Sequence, residues 1–317
     1  MITELCGPES CGSSKPKIEP PVVDVRHLAR SFGGNDAVND LSLTVRAGSV
    51  FGFFGRNGAG KTTTIKCLLN LLRPTAGSIS LFGLNPERDE LAIKRRIAYV
   101  PDSAAFYPWM TVRHTLDYFA SFRDHWDAAV EADLLERFRL DPRKRAGTLS
   151  KGQSMQLALV TAICPGPDLL ILDEPTTGLD PIVRREFVEA VIGAYQDADP
   201  ENRTVFVSTH LISEFEGLVD DFTIIENGQA VLACGADDAR NRFRRIRARF
   251  GDVPPEIKSP DLVEVRRQGR ELELVVSDGH EIVVHQIRSF APETITVEAL
   301  DLESIFIAVL NPRREYA

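Results

Sequence analysis

Val50-Phe51-Gly52-Phe53-Phe54-Gly55-Arg56-Asn57-Gly58-Ala59-Gly60-Lys61-Thr62-Thr63 is the stretch whose reading decides the fold. Val50–Phe54 is a continuous apolar run, the pattern of a strand buried on both faces. From Thr62 to Leu72 the apolar spacing turns helical and stops before Pro74, which cannot continue a helix. Between strand and helix, Gly55 to Thr62 fits G-x-x-x-x-G-K-[ST]. The chemistry explains the shape. Glycines let backbone N–H groups turn inward around a phosphate chain, and Lys61 adds a point charge. The Thr62 hydroxyl can ligate Mg²⁺, and the following helix points its positive end at the anion.

Working outward, strand and helix patterns alternate. Val22, Val23 and Val25 begin a strand, Leu41, Leu43 and Val45 alternate with polar residues, and a turn is expected at Ala47-Gly48. Leu169–Leu172 and Val205–Ser208 read as buried strands, with a helix over Ile182–Tyr195 between them. This succession predicts an α/β fold on a mixed, largely parallel sheet. Phe222–Glu226, Asn227-Gly228 and Gln229–Leu232 give a hairpin signal. Asp173-Glu174 places two carboxylates at the carboxyl end of a buried strand, where open α/β sheets bind ligands. Asp173 suits the Mg²⁺ shell, and Glu174 suits a general base that deprotonates an attacking water. A bare acidic turn is the alternative; Pro175 ending the strand at once and the phosphate loop upstream favour the catalytic reading.

After Gly235 the pattern changes. Asp237–Phe250 is Arg-dense and reads as helical. Val263–Arg267, Leu272–Val276 and Ile282–Val284 read as short strands, with turns at Gln268-Gly269 and Asp278-Gly279. Asp301 is placed to cap a last helix whose apolar face is Leu302, Ile305, Phe306, Val309 and Leu310. The expected organisation is a flexible tail over 1–20, an α/β domain over 21–235 and a small α+β domain over 236–317.

The 317 residues carry 37 Lys+Arg against 46 Asp+Glu, a net charge of -9. That balance argues against a dedicated nucleic-acid binder, and no nucleic-acid partner is expected. No apolar run approaches the ~20 residues that span a bilayer, and the start of the chain lacks the basic and apolar regions of a signal peptide. The expectation is a cytoplasmic chain. Five scattered cysteines do not make a disulfide framework, and Cys6 and Cys11 read as free thiols in the tail.

Four further pieces select a family. Leu149-Ser150-Lys151-Gly152-Gln153 precedes Asp173, Thr176-Thr177-Gly178-Leu179-Asp180 follows Glu174, Ser208-Thr209-His210 ends the next buried strand, and Phe32 lies upstream of the phosphate loop. In this order they closely resemble the ATP-binding cassette (ABC) ATPases over about residues 22–235, with Leu149–Gln153 as the most family-specific element. The resemblance implies a P-loop ABC fold with a helical subdomain carrying the signature motif, followed by the small α+β domain. It implies that Phe32 stacks on adenine, Gly55–Thr63 cradles the phosphates of ATP, and Asp173 and Thr62 serve Mg²⁺. Glu174 is then the catalytic base and His210 contacts the γ-phosphate. Asp180 couples two sites across a homodimer formed on ATP binding. Ser150, Gly152 and Gln153 reach the nucleotide of the other subunit.

Some residues depart from the pattern. Lys151 stands where glycine is common, and Arg56 replaces a frequent Pro, Ser or His with no role assigned. Asp102, after Tyr99-Val100-Pro101, stands where the family commonly has Gln; it is read either as a Mg²⁺ ligand or as a turn cap. Ala105–Val112 contains Phe106, Tyr107, Trp109 and Met110, read either as the docking surface for a membrane permease or as local packing. The C-terminal end resembles bacterial exporter ATPases of the antibiotic and lipid efflux type. The arginines at 240, 242, 244, 245, 247 and 249 read as a solvated face rather than a lipid or nucleic-acid site, since basic and acidic residues nearly balance beyond 236. The resulting expectation is the ATP-hydrolysing subunit of an ABC exporter, peripheral on the inner face of the membrane and driving a separate permease. The alternative is a soluble ABC ATPase acting on ribosomes or DNA. One cassette and no coiled-coil insertion weigh against it.

Overall fold

The computed structural model describes residues 20–196 and 203–311. The tail with Cys6 and Cys11 lies outside the described residues, as do the last residues of the chain.

β1 (Val23–Phe32), β2 (Asn35–Val45) and β3 (Val50–Gly55) open the chain, followed by α1 (Lys61–Leu68), β4 (Ala76–Leu81), α2 (Glu90–Arg96) and β5 (Ile97–Val100). A helical stretch comes next, with α3 (Val112–Ala120), α4 (Ala128–Arg137) and α5 (Lys151–Ile163). β6 (Leu169–Asp173), α6 (Pro181–Gln196), β7 (Thr204–Thr209), β8 (Asp221–Glu226) and β9 (Gln229–Gly235) complete the larger part. The six-stranded sheet runs β5-β6-β7-β3-β8-β9. Its first five strands are parallel and β9 is antiparallel to β8, so the sheet is largely parallel as expected. The apolar runs predicted as buried strands are its central members, and every residue of β6 and β7 is buried. β1, β2 and β4 form a separate antiparallel sheet in the order β2-β1-β4. These strands alternate buried and exposed residues because only one face is covered.

Two cores lie on the larger part. One fills the space between the three-stranded sheet, α1 and one face of the parallel sheet, with Phe53, Ile65 and Phe206 at its centre. The other joins the opposite face to α3, α5 and α6 through Phe54, Leu157, Leu172 and Phe187. α1 is shorter than its sequence pattern. Asn70 takes a left-handed φ of 55° and Leu71 N–H donates back to Lys66 O, a closure that ends the helix.

α7 (Ala236–Arg242), β10 (Arg244–Arg249), β11 (Leu262–Gln268), β12 (Glu271–Val276), α8 (His280–Arg288), β13 (Thr294–Ala299) and α9 (Leu302–Leu310) follow. Four of these strands make an antiparallel sheet ordered β11-β12-β10-β13. Two expectations are corrected here. The Arg-dense stretch is helical only to Arg242 and then becomes β10, because Ile246 and Ala248 alternate with arginines and point into a core with Leu274 and Val283. Ile282–Val284 belongs to α8, whose buried residues Val283, Val284 and Ile287 keep helical spacing. The arginines are balanced locally: Arg242 pairs with Asp278, Arg247 with Glu273 and Glu298, and Arg249 with Glu293. Asp301 caps α9 as expected, accepting from Ser304 N–H. The buried face of α9 (Leu302, Ile305, Ala308) does not close on the small sheet's core. It joins the core of the parallel sheet's helical side, together with Ile212, Phe215 and Phe243.

Candidate functional site

The carboxyl ends of β3, β6 and β7 meet at one point of the parallel sheet. Past β3 the chain turns through Gly58 (φ 82°) and Gly60 (φ 108°) into α1. A Cβ on Gly60 would stand 2.4 Å from Ala37 O, so only glycine fits that turn. The loop is held from outside by the β8–β9 turn: Gly228 N–H donates to Ala59 O at 2.9 Å, and Asn39 N–H donates to Gly228 O at 2.9 Å.

Lys61, the first residue of α1, is 5% exposed. Its Nζ donates to Gly55 O at 2.7 Å and Arg56 O at 3.1 Å, and sits 2.9 Å from Glu174 Oε1. The other carboxylate oxygen of Glu174 accepts from Thr177 Oγ1 at 3.0 Å and lies 2.8 Å from His210 Nδ1. Burial alone would push the Glu174 carboxyl up. The hydrogen bond and charge of Lys61, with those of His210, outweigh it and hold the pKa below the ordinary glutamate value. Glu174 therefore stays ionised, as a proton acceptor must. Its backbone has a left-handed φ of 48°, uncommon for a side-chain-bearing residue, and Glu174 N–H is tied to Ser208 O at 2.8 Å.

Asp173, the last residue of β6, is fully buried. Burial raises its pKa; the nearby Thr62 and Ser208 hydroxyls offset part of this, while the charges of Asp102 and Glu174 add to it. Neither carboxylate oxygen completes a hydrogen bond. A buried carboxylate left open beside a threonine hydroxyl fits Mg²⁺, a hard cation that takes one or two protein oxygens and completes its shell with phosphates and water. Among the described residues no group of three or more His, Cys, Asp or Glu forms an all-protein metal cage. Tyr99 on β5 faces the same carboxylate, and its phenol is pushed up by burial and by the charges of Asp173 and Asp102. Asp102 lies just beyond β5 and is exposed.

Other candidates stand apart from the phosphate loop. Ser150 caps α5 in a capping box with Gln153, whose Oε1 also accepts from Lys144 Nζ at 2.9 Å. Lys151 Nζ donates to Thr177 O at 2.7 Å. None of these hydrogen bonds reaches the phosphate loop. Asp180 Oδ1 caps α6 by accepting from Ile182 and Val183 N–H. Phe32 ends β1 half-exposed, with the Arg30 guanidinium 4.5 Å from its ring centre. Thr177, Tyr99 and the Gly228 clamp are additions to the sequence reading. Thr177 lay inside a quoted motif, and Gly228 had a turn signal, but their partners are distant in sequence.

The aromatics near Ala105–Val112 continue onto α3. Tyr107 lies tilted against Trp109 (centroids 4.8 Å) and edge-on to Tyr118, which meets Phe122 at 5.0 Å. Tyr107, Trp109, Tyr118 and Phe122 are all exposed, so most of this surface is not local core. Among the described residues no helix is long and apolar enough to cross a membrane.

The sequence profile of the ABC transporter family matches residues 38–177. The bacitracin transport ATP-binding protein BcrA of Bacillus licheniformis is 37% identical over 71% of this chain and 73% of its own length. The Nod factor export ATP-binding protein I of Burkholderia lata is 37% identical over 77% of this chain and 79% of its own. Among solved structures, an ATP-binding subunit of an ABC transporter superposes with a TM-score of 0.62 at 28% identity, covering 69% of this chain and 92% of that one.

Proposed function

This chain belongs to the ABC transporter ATP-binding proteins, and from that premise we propose that it powers an exporter whose permease is a separate chain. It is the nucleotide-binding, ATP-hydrolysing subunit of a transporter. The exporter reading draws on relatives named for bacitracin transport and Nod factor export. A soluble role on ribosomes or DNA is not favoured.

The observation that carries the mechanism is the Lys61–Glu174–His210 network at the head of the phosphate loop, buried at Lys61 and half-buried at His210. In our reading Gly55–Thr63 wraps the phosphates, Lys61 neutralises them, and Glu174 takes the proton of the attacking water. His210 orients Glu174 and reaches the γ-phosphate. Thr62 and Asp173, with Asp102 from the adjoining loop, hold Mg²⁺, which supplies charge neutralisation at the transferring phosphoryl group. Phe32 stacks on adenine. Two copies close head to tail on ATP, so that Ser150, Gly152 and Gln153 of one face the nucleotide of the other and Asp180 links the sites. The exposed Tyr107–Trp109–Tyr118–Phe122 patch receives the permease, which keeps the subunit on the inner face of the membrane.

The test is Glu174→Gln. It keeps the size and one acceptor but removes the proton-accepting charge. Hydrolysis should fall by about 10²–10⁴ while ATP affinity is retained, and a dimer should accumulate with ATP on size-exclusion chromatography. Normal turnover by this variant would overturn the assignment of the base.

A further inference from the structure

We propose that the C-terminal helix α9 is a strut for the hydrolytic site, with Asn311 positioning the phosphate loop at one end and Glu216 positioning the His210 segment at the other. The inference rests on the phosphate-loop reading above and adds a role for Arg56, which the motif leaves without one.

At the far end of α9, Asn311 Oδ1 accepts from Arg56 Nη2 at 2.8 Å across 255 positions of sequence. Arg56 is the second residue of the phosphate loop. Its side chain points out to Asn311 while its carbonyl accepts from Lys61 Nζ and from Ala59 N–H, both at 3.1 Å. Anchoring the guanidinium outside the loop fixes the orientation of the peptide that faces Lys61.

At the near end, Leu302 N–H donates to Glu216 Oε1 at 2.8 Å, and the Glu216 carbonyl accepts from Arg240 Nη2 at 2.6 Å. Glu216 follows the short 3-10 turn Ile212–Glu214, which leaves His210 directly. Ile212 and Phe215 of that segment are buried in one core with Leu302, Ile305 and Ala308.

The contacts therefore close a circuit. Asn311 holds Arg56, the Arg56 carbonyl faces Lys61, Lys61 pairs with Glu174, Glu174 meets His210, and the His210 segment returns to α9 through Glu216. The nine residues of α9 span about 13 Å at the helical rise. A helix seated by a buried apolar face has no soft coordinate along its axis, so the two ends stay at a fixed separation. Its hydrogen bond to Arg56 is weak, since Arg56 is exposed, and acts on position more than on stability. The two ends act on different steps. Asn311 bears on the loop that binds nucleotide, and Glu216 bears on the histidine that orients the base.

Steady-state ATP hydrolysis and melting temperature of the full chain test this. Asn311→Ala should raise KM for Mg·ATP about two- to fivefold with kcat held, as loss of one exposed hydrogen bond allows. Arg56→Ala should do the same, the double variant should be no worse than either single one, and Asn311→Asp, which keeps the acceptor, should restore wild-type KM. Glu216→Ala should give the reverse split, kcat down about two- to fivefold at constant KM, with Glu216→Gln close to wild type. Unchanged KM in Asn311→Ala, additive losses in the double variant, or kinetic losses that merely track a lower melting temperature would each refute the strut. Lys61→Ala is measured alongside. If it still binds ATP, the phosphate-loop reading has failed; if it does not bind while Asn311→Ala is silent, only the strut has failed.

Discussion

Replacing Lys61 with alanine removes the cation that keeps Glu174 ionised at the end of β6. The pair is 2.9 Å long, with side chains 5% and 12% exposed, so solvent cannot take over the lost contact. Removing one partner of such a pair costs about 3–5 kcal/mol. Thr177 and His210 still face the other carboxylate oxygen, which puts the expected cost near the lower end, about 3 kcal/mol at pH 8. The sign of the pH dependence follows from the causes of the Glu174 shift. In the wild type the folded pKa is depressed, so the group contributes stability above the unfolded glutamate value and loses it as pH falls through the folded value. In the variant the Lys61 contribution is gone and burial, the largest single influence, is opposed only by His210, so the carboxyl moves up from its wild-type position. A raised carboxyl destabilises the folded state at high pH and recovers as pH falls. The stability gap between the two proteins should therefore widen as pH rises from the wild-type folded value to the variant's higher one, and level off above it. Urea denaturation across that range, followed by tryptophan fluorescence, measures it. A gap that stays flat with pH, or a variant as stable as wild type at pH 8, would refute the account of how Glu174 is kept charged.

Substitutions at two further positions test other parts of the structure. Phe206→Ala removes a fully buried ring that lies 5.4 Å from Phe51 and 5.5 Å from Phe53. It should cost about 3–5 kcal/mol in denaturant midpoint analysis, and a loss under about 1 kcal/mol would mean the core is looser than it looks. Asp102→Asn should flatten the dependence of hydrolysis on Mg²⁺ concentration with ATP affinity nearly unchanged, whereas Asp102→Gln should preserve hydrolysis; curves superimposable on wild type for both would remove Asp102 from the metal shell.

The parallel sheet was legible because its strands are apolar on both faces. Val50–Phe54, Leu169–Leu172 and Val205–Ser208 have no other reading at that length. The phosphate loop, Asp173 and Glu174 were legible because their chemistry constrains residue type at fixed spacing. Beyond Gly235 that advantage disappears. In Arg244–Arg249 the two apolar residues, Ile246 and Ala248, are spaced for a strand, but Phe243, Ile246 and Phe250 also fit a helical face. Only pairing with β12 and β13 decides between them. Ile282–Val284 is a β-branched run that α8 takes up regardless of its strand propensity, burying Val283 and Val284 and leaving Ile282 exposed, tertiary packing overriding the local preference. Contacts such as Arg56 with Asn311 leave no local signal, because each residue alone is an ordinary polar surface residue.

Hairpin tips are usually where a protein accepts an extra residue, a tag or a cleavage site with least harm. The Asn227-Gly228 tip is different. Gly228 is stitched to the phosphate loop at Ala59 and to β2 at Asn39, and a Cβ there would come within 2.9 Å of Ala37 O and Val38 Cα. Lengthening this turn or giving it a side chain would pry the loop from its outer support while every recognised motif stayed intact. An engineer choosing an insertion point, or a geneticist weighing a variant at Gly228, should treat this surface turn as part of the support of the Gly55–Thr62 loop.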